Sequence, residues 1–217
     1  MFPFCLLILL QATDNTGEGK GVAKIMASSI SPFIDWEILT WLRQLTDIPI
    51  VIKGIQCVED AVLAYQHGVQ GIVLSNHGGR SQDTYDISEP WPILHAKDIL
   101  TYINRAQSPL LTLLEIRKFA PHLIESKMQI FIDGGIRRGT DVLKAIALGA
   151  TAVGLGRPFL FSLSGYGENG VRRMIEILRQ EIETNMVFLG VTSLEELRPE
   201  MMNASRLEKH LIGSVKL

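Results

Sequence analysis

The chain is poor in cysteine. Cys5 and Cys57 are the only two among 217 residues. Neither belongs to a CxxC pair or lies near a histidine cluster, which argues against a zinc site and a disulfide framework. Cys57 follows an apolar segment and reads as a small packed residue, not a nucleophile. A surplus of either charge is lacking as well. The formal net charge of −2 gives no electrostatic basis for binding nucleic acid or an anionic membrane surface. A membrane-length apolar stretch is also missing. The apolar run at residues 4–10 falls far short of the roughly 20 residues a spanning helix needs. No lysine or arginine precedes it, as one would in a signal peptide. An intracellular setting (cytoplasmic, mitochondrial or peroxisomal) is therefore expected over secretion. The ending Val215-Lys216-Leu217 only approximates a peroxisomal SKL signal.

What is present is an ordinary globular balance, 47% hydrophobic and 20% charged, in a length that suits one domain with a core. Residues 1–31 form an atypical N-terminal segment and linker, glycine-rich and polar over 13–23. Residues 32–210 form the domain. A helix is predicted over 36–45, with Ile38, Leu39, Leu42 and Leu45 on one face and Asp35 as its N-cap. A β/α rhythm follows. Residues 49–54 are a β-branched strand closed by Gly54, and 59–67 a helix ended by Gly68. Residues 71–75 and 130–135 are strands. Thr140 caps a helix over 141–148 that Gly149 ends, and 152–158 hold a fourth strand and its loop. A helix over 170–189 and a capping box opening at Ser193 complete the C-terminal part. Nearly all-apolar strands alternating with helices predict an α/β fold with a parallel sheet covered on both faces.

Spacing shows where the rhythm breaks. Lys53 to Ser75 is 22 positions and Asp133 to Arg157 is 24, but Ser75 to Asp133 is 58. Residues 85–107 read as an insertion into a loop that would otherwise join Asp83-Thr84 to Ser108-Pro109 and a helix over 110–119.

Each strand ends in polar residues or glycine: Lys53-Gly54, Ser75-Asn76-His77-Gly78-Gly79-Arg80, Asp133-Gly134-Gly135 and Gly156-Arg157. In a (β/α)8 barrel, strand C-termini gather on one face, and sites lie there. The last two ends suit an anion. Glycines let main-chain N–H groups approach a ligand, helix N-termini add a positive end, and Arg157 with Arg137 or Arg138 adds charge. A cation at Lys53 can compensate charge developing on a ligand. His77 suits proton transfer near neutral pH, and Arg80 suits a carboxylate fork. His67, His95, His122 and His210 have no such context and are expected at the surface or in loops.

These segments match a known family. SNHGGR, IVIKG, FIDGGIRRGTDVLKAIALGA and VGLGRPFLF resemble the FMN-dependent 2-hydroxy-acid dehydrogenases and oxidases, of the glycolate oxidase and flavocytochrome L-lactate dehydrogenase type. The resemblance runs over about 32–207, without 85–107. It implies a (β/α)8 TIM barrel, FMN as cofactor and a small L-2-hydroxy acid as substrate, oxidised to the 2-keto acid. It implies His77 as the active-site base and Arg80 as the carboxylate holder. It implies Lys53 at the flavin N1–C2=O edge and Ser75 as a flavin contact. Asp133, Gly134, Gly135, Ile136 and Arg137 correspond to the first stretch of the ribityl-phosphate loop, and Gly156 with Arg157 to the second. Asp83 keeps the position of the family's aspartate in GGRQLD, with Ser81-Gln82 in place of Gln-Leu.

Only the last four strands of the barrel, with the C-terminal helices, are identifiable. The expected fold is therefore a partial barrel. Residues 1–32 hold no counterpart of the family's tyrosine, of its glutamine and threonine flavin contacts, or of the aspartate that orients the histidine. Exposed strand edges would favour pairing, which leaves a homo-oligomer open. Two functional readings stand side by side: an FMN-dependent oxidoreductase, or an inactive fragment keeping only the flavin phosphate loops. A different phosphate-binding barrel is a third, and the His77/Arg80 pair argues against it.

Overall fold

β-Branched and aliphatic residues are concentrated in the four segments that become strands, and the strand ends carry the polar residues. The computed structural model describes residues 35–79, 107–209 and 211. Residues 1–31, Arg80, Asp83, His95, His210 and the proposed insertion apart from Gln107 lie outside them. The chain divides between Ile50 and Val51 into two units. The described part of the first contains helix α1, Ile38–Leu45. It starts two residues later than predicted. Asp35 caps the turn ahead of it, its Oδ1 accepting from the Glu37 N–H at 3.1 Å.

The second unit carries a four-stranded sheet in the order β1-β2-β3-β4. The strands are β1 (Val51–Ile55), β2 (Gly71–Leu74), β3 (Gln129–Asp133) and β4 (Ala152–Gly154). All neighbours pair in parallel. Sequential order with parallel pairing requires a crossover between every two strands. These crossovers are α2 (Val58–Gln66), then α3 (Pro109–Phe119) with α4 (Pro121–Glu125), then α5 (Gly139–Ala147). Helix α4 had no sequence signal beyond Pro121 at its first turn.

Alternation along the strands sorts the faces. Ile72, Leu74, Ile130 and Ile132 are buried, together with Val58, Ala61 and Ala64 of α2, Leu113 and Ile116 of α3 and Leu123 of α4. The opposite parity runs across the sheet as Lys53, Val73 and Phe131, paired in register, and is less covered. The second face is therefore covered only in part, half-buried at Val73 and Phe131 and exposed at Lys53. In β4, Ala152 and Gly154 are exposed and Val153 is half-buried. A strand at the edge of the described sheet has neighbours on one side only.

Gly54 does not close β1. The register slips there, with Lys53 opposite Val73 but Ile55 opposite Leu74. Gly54 is the extra residue, at φ 105°, where a side chain would be strained. Such a bulge re-aims the neighbouring side chain and is common beside active sites. Here that side chain is Lys53.

After β4 the chain turns directly into α6, Arg157–Leu189. The prediction began this helix at residue 170. The first arm was hidden because Pro158, Gly165 and Gly167 are poor interior helix formers. Pro158 is tolerated in the first turn, and Gly167 (φ 60°, ψ −148°) bends the helix. The second arm packs on α5, where Leu143 and Ala147 meet Ile182, Met186 and Leu189, with Val191 and Leu197 closing the cluster. Short 3₁₀ turns at Leu194–Glu196 and Pro199–Met201 and helix α7 (Ser205–Glu208) follow. Ser193 is the N-cap of the first of these turns, as predicted, but makes no side-chain cap hydrogen bond. Thr192, through both N–H and Oγ1, donates to Glu196 at 3.1 and 2.8 Å.

Candidate active site

The parallel order places the C-terminal ends of all four strands side by side, and a cleft of about 800 Å³ opens over them. Its wall includes Lys53, His77, Asp133, Gly134, Gly135, Ile136, Arg137, Gly156 and Arg157. Of the predicted site residues, two are not on this wall. Ser75 is completely buried behind it, and Arg80 lies outside the described residues. Gly78, which the sequence offered as a close approach to the backbone, joins the wall, and Gly154, Leu155, Pro158, Leu160 and Phe161 join it without having been singled out as site residues. A signal for the last two existed: large apolar residues directly after a glycine-arginine anion loop.

The His77 turn is built from its own sequence. Asn76 accepts the Gly79 N–H through its main-chain oxygen (2.9 Å) and its Oδ1 (3.0 Å). Its Nδ2 donates to the Gln107 carbonyl at 3.2 Å. Gln107 in turn donates to the buried Glu115 carboxylate at 2.8 Å, so this residue is integral to the packed structure. His77 is the only non-glycine at positive φ (54°) among the described residues. That conformation costs roughly 1–2 kcal/mol for a residue with a Cβ. It is held by the His77 N–H donating to Ser75 Oγ at 3.1 Å and leaves the imidazole exposed over the cleft.

Arg157 ties this turn to the other end of the sheet, with Nη2 donating to the Gly78 carbonyl at 2.6 Å. Lys53 Nζ stands 3.0 Å from Ser75 Oγ and 3.4 Å from Asp133 Oδ2. The wall thus carries three cations, Lys53, Arg137 and Arg157, against one carboxylate, Asp133. This balance suits an anionic ligand.

The two helix N-termini next to the cleft differ. At the start of α5, the Gly139 N–H donates to Glu181 Oε2 at 2.7 Å, and the Arg137 and Arg138 N–H groups donate to Asp141 Oδ2 at 3.0 Å each. Arg138 also pairs with Glu181 at 2.6 Å. Of Arg137 and Arg138, only Arg137 therefore faces the cleft. The N-terminus of α6 has no side-chain cap and keeps its positive end toward the cleft.

The other titratable groups named from the sequence lie elsewhere. Burial pushes the Cys57 thiol up to about 12, as befits a packed residue and not a nucleophile. His67 is an exposed helix cap, and His122 makes an edge-on ring contact with Tyr65 at 5.9 Å.

The family model for FMN-dependent dehydrogenases matches residues 8–204. The chain belongs to this family. The L-lactate dehydrogenase (cytochrome) of Wickerhamomyces anomalus is 39% identical over 204 residues, covering 94% of this chain and 32% of that protein. The mouse 2-hydroxyacid oxidase 1 is 39% identical over 89% of this chain and 45% of its own length. A flavocytochrome b2 mutant with pyruvate bound superposes at a TM-score of 0.69 and 42% identity, covering 91% of this chain and 45% of that one. The chain therefore spans about a third to a half of the relatives it matches, and its sheet is part of a barrel of their kind.

FMN is the family's cofactor, and the residues present fit it. Gly135 (φ 86°) and Gly156 have nothing within 4 Å of where a Cβ would stand, so their main chain is open to a ligand that any side chain would obstruct. Arg137, Arg157 and the uncapped start of α6 face the same cradle. The cleft volume falls within the roughly 300–1,000 Å³ of small-molecule sites.

Proposed function

We propose that the intact protein oxidises a small L-2-hydroxy acid, of the L-lactate or glycolate type, to the corresponding 2-keto acid. The observation that carries this reading is the convergence of His77, Lys53 and the two glycine-arginine loops on one cleft. A phosphate-binding fragment without turnover would need only the loops. The presence of an exposed imidazole and a cation on the same wall favours the enzyme. The activities named for the relatives, L-lactate dehydrogenase and 2-hydroxyacid oxidase, support the substrate class.

His77 removes a proton from the substrate, since an exposed imidazole is suited to that transfer near neutral pH. Arg80, three residues further on, holds the substrate carboxylate. Gly134 to Arg137, Gly156 and Arg157 hold the cofactor phosphate, with the N-terminus of α6 behind them. Lys53 compensates negative charge at the flavin edge. FMN, when bound, accepts the two electrons that the hydroxy acid gives up.

The test is FMN loading of the wild-type and His77→Gln proteins, followed by L-lactate or glycolate under anaerobic conditions. The wild type should lose its oxidised-flavin absorbance, and His77→Gln should bind FMN and keep it oxidised. Normal reduction in the variant would remove His77 from the base role. FMN binding without reduction in the wild type would favour the fragment reading.

A further inference from the structure

Ser75 is buried to zero exposure, yet three elements of the cleft meet at its hydroxyl. A hydroxyl has one proton to donate and two lone pairs that accept. All three are used here. Oγ accepts from Lys53 Nζ at 3.0 Å and from the His77 N–H at 3.1 Å, and donates to Asp133 Oδ1 at 2.5 Å. The directions are forced, because an ammonium and an amide N–H only donate and a carboxylate only accepts.

We propose that Ser75 is a positioning residue, whose hydroxyl fixes the Lys53 ammonium toward the cleft and the His77 main chain in its left-handed turn. This deepens the functional reading above and rests on it. Lys53 reaches its place on a flexible four-carbon stem. Among the described residues its other anchor at this point is Asp133, at 3.4 Å. Without the Ser75 hydroxyl, the ammonium moves onto that carboxylate and the cleft loses part of its positive field. The same loss frees the His77 N–H, which is the bond holding a strained residue. One buried oxygen thus links β1, β2 and β3 at the place where their ends form the wall.

The test uses Ser75→Ala and Asp133→Asn with two readouts. The first is hydrogen exchange of the His77 amide in the cofactor-free protein, which does not depend on the proposed activity. Ser75→Ala should exchange roughly tenfold faster, the equivalent of one hydrogen bond. Asp133→Asn should exchange at the wild-type rate, because its side-chain oxygen still accepts from Ser75. The second is the midpoint potential of bound FMN, which a merely structural role would leave alone. Ser75→Ala should lower it, and Asp133→Asn should raise it by removing the counter-ion of Lys53. A folded Ser75→Ala protein with wild-type exchange overturns the proposal. So does faster exchange with an unchanged potential. If Ser75→Ala does not fold, Ser75→Gly takes its place in both readouts, with the same expected and contrary outcomes. If the wild type binds no FMN, the functional reading fails, and the exchange comparison still decides whether Ser75 holds His77.

Discussion

The guanidinium of Arg157 donates to the carbonyl of Gly78 at 2.6 Å, joining residues 79 positions apart. This contact ties the start of α6 to the turn that carries His77. In the proposed function the arginine would combine a charge for the cofactor phosphate with a brace on the loop that carries His77.

Arg157→Ala removes both. FMN affinity should fall about tenfold, in line with one charge-assisted hydrogen bond at an exposed site, as followed by quenching of flavin fluorescence. Arg157→Lys keeps the charge but lacks the planar fork, so it should recover only part of the loss. Equal FMN affinity in all three proteins would mean that Arg157 does not hold the phosphate.

The two glycines after β3 make different predictions. A Cβ on Gly134 would stand 2.7 Å from Asn76 Oδ1, whereas one on Gly135 meets nothing within 4 Å. Both sit at positive φ, 93° and 86°, so each alanine pays a strain of roughly 1–2 kcal/mol. Gly134→Ala should also disturb the Asn76 turn and lose the larger share of stability in denaturant unfolding. Gly135→Ala should stay better folded and lose FMN affinity, because its methyl enters the cradle. A Gly135→Ala protein that binds FMN as tightly as the wild type would place the phosphate elsewhere.

Glu181 predicts the acid limb of stability. The Gly139 N–H, and then the Arg138 guanidinium, hold its carboxyl below the usual carboxylate range. A carboxyl whose value is depressed on folding contributes stability that is fully present above its unfolded value. That contribution is lost as pH falls through the folded value. Glu181→Gln should therefore melt at a lower temperature than the wild type near neutral pH, and the gap should narrow under acid conditions. A gap that stays constant with pH would show that the charge on Glu181 adds nothing. Gly139→Ala attacks the same junction sterically, since its Cβ would lie 2.6 Å from Glu181 Cβ. It should cost about 1–3 kcal/mol.

Much of this was legible in the sequence, for physical reasons. Strands β2 and β3 announce themselves because one fully buried face and one half-buried face both favour apolar residues, giving runs such as Gly71-Ile72-Val73-Leu74. The residues of the cleft were legible because parallel strands deliver their C-terminal ends to one place. What was not legible depends on contacts distant in sequence. The Gly54 bulge looks like a strand end until its pairing with β2 is seen. The first arm of α6 is masked by proline and glycines that only tertiary context tolerates. Glu181, 42 positions from Gly139, occupies the α5 N-terminus that the glycine loop alone had suggested for an anion. Ser75 carried a motif position, but its valence could be counted only once Lys53, His77 and Asp133 stood around it.

The central claim is that this cleft belongs to an FMN-dependent oxidation of a 2-hydroxy acid. The most direct measurement is anaerobic titration of the FMN-loaded protein with L-lactate, with the absorbance of oxidised flavin followed and the product identified. Loss of the flavin absorbance in step with the formation of one pyruvate per FMN is the predicted result. Flavin that stays fully oxidised with excess L-lactate, and equally with glycolate, would contradict the account.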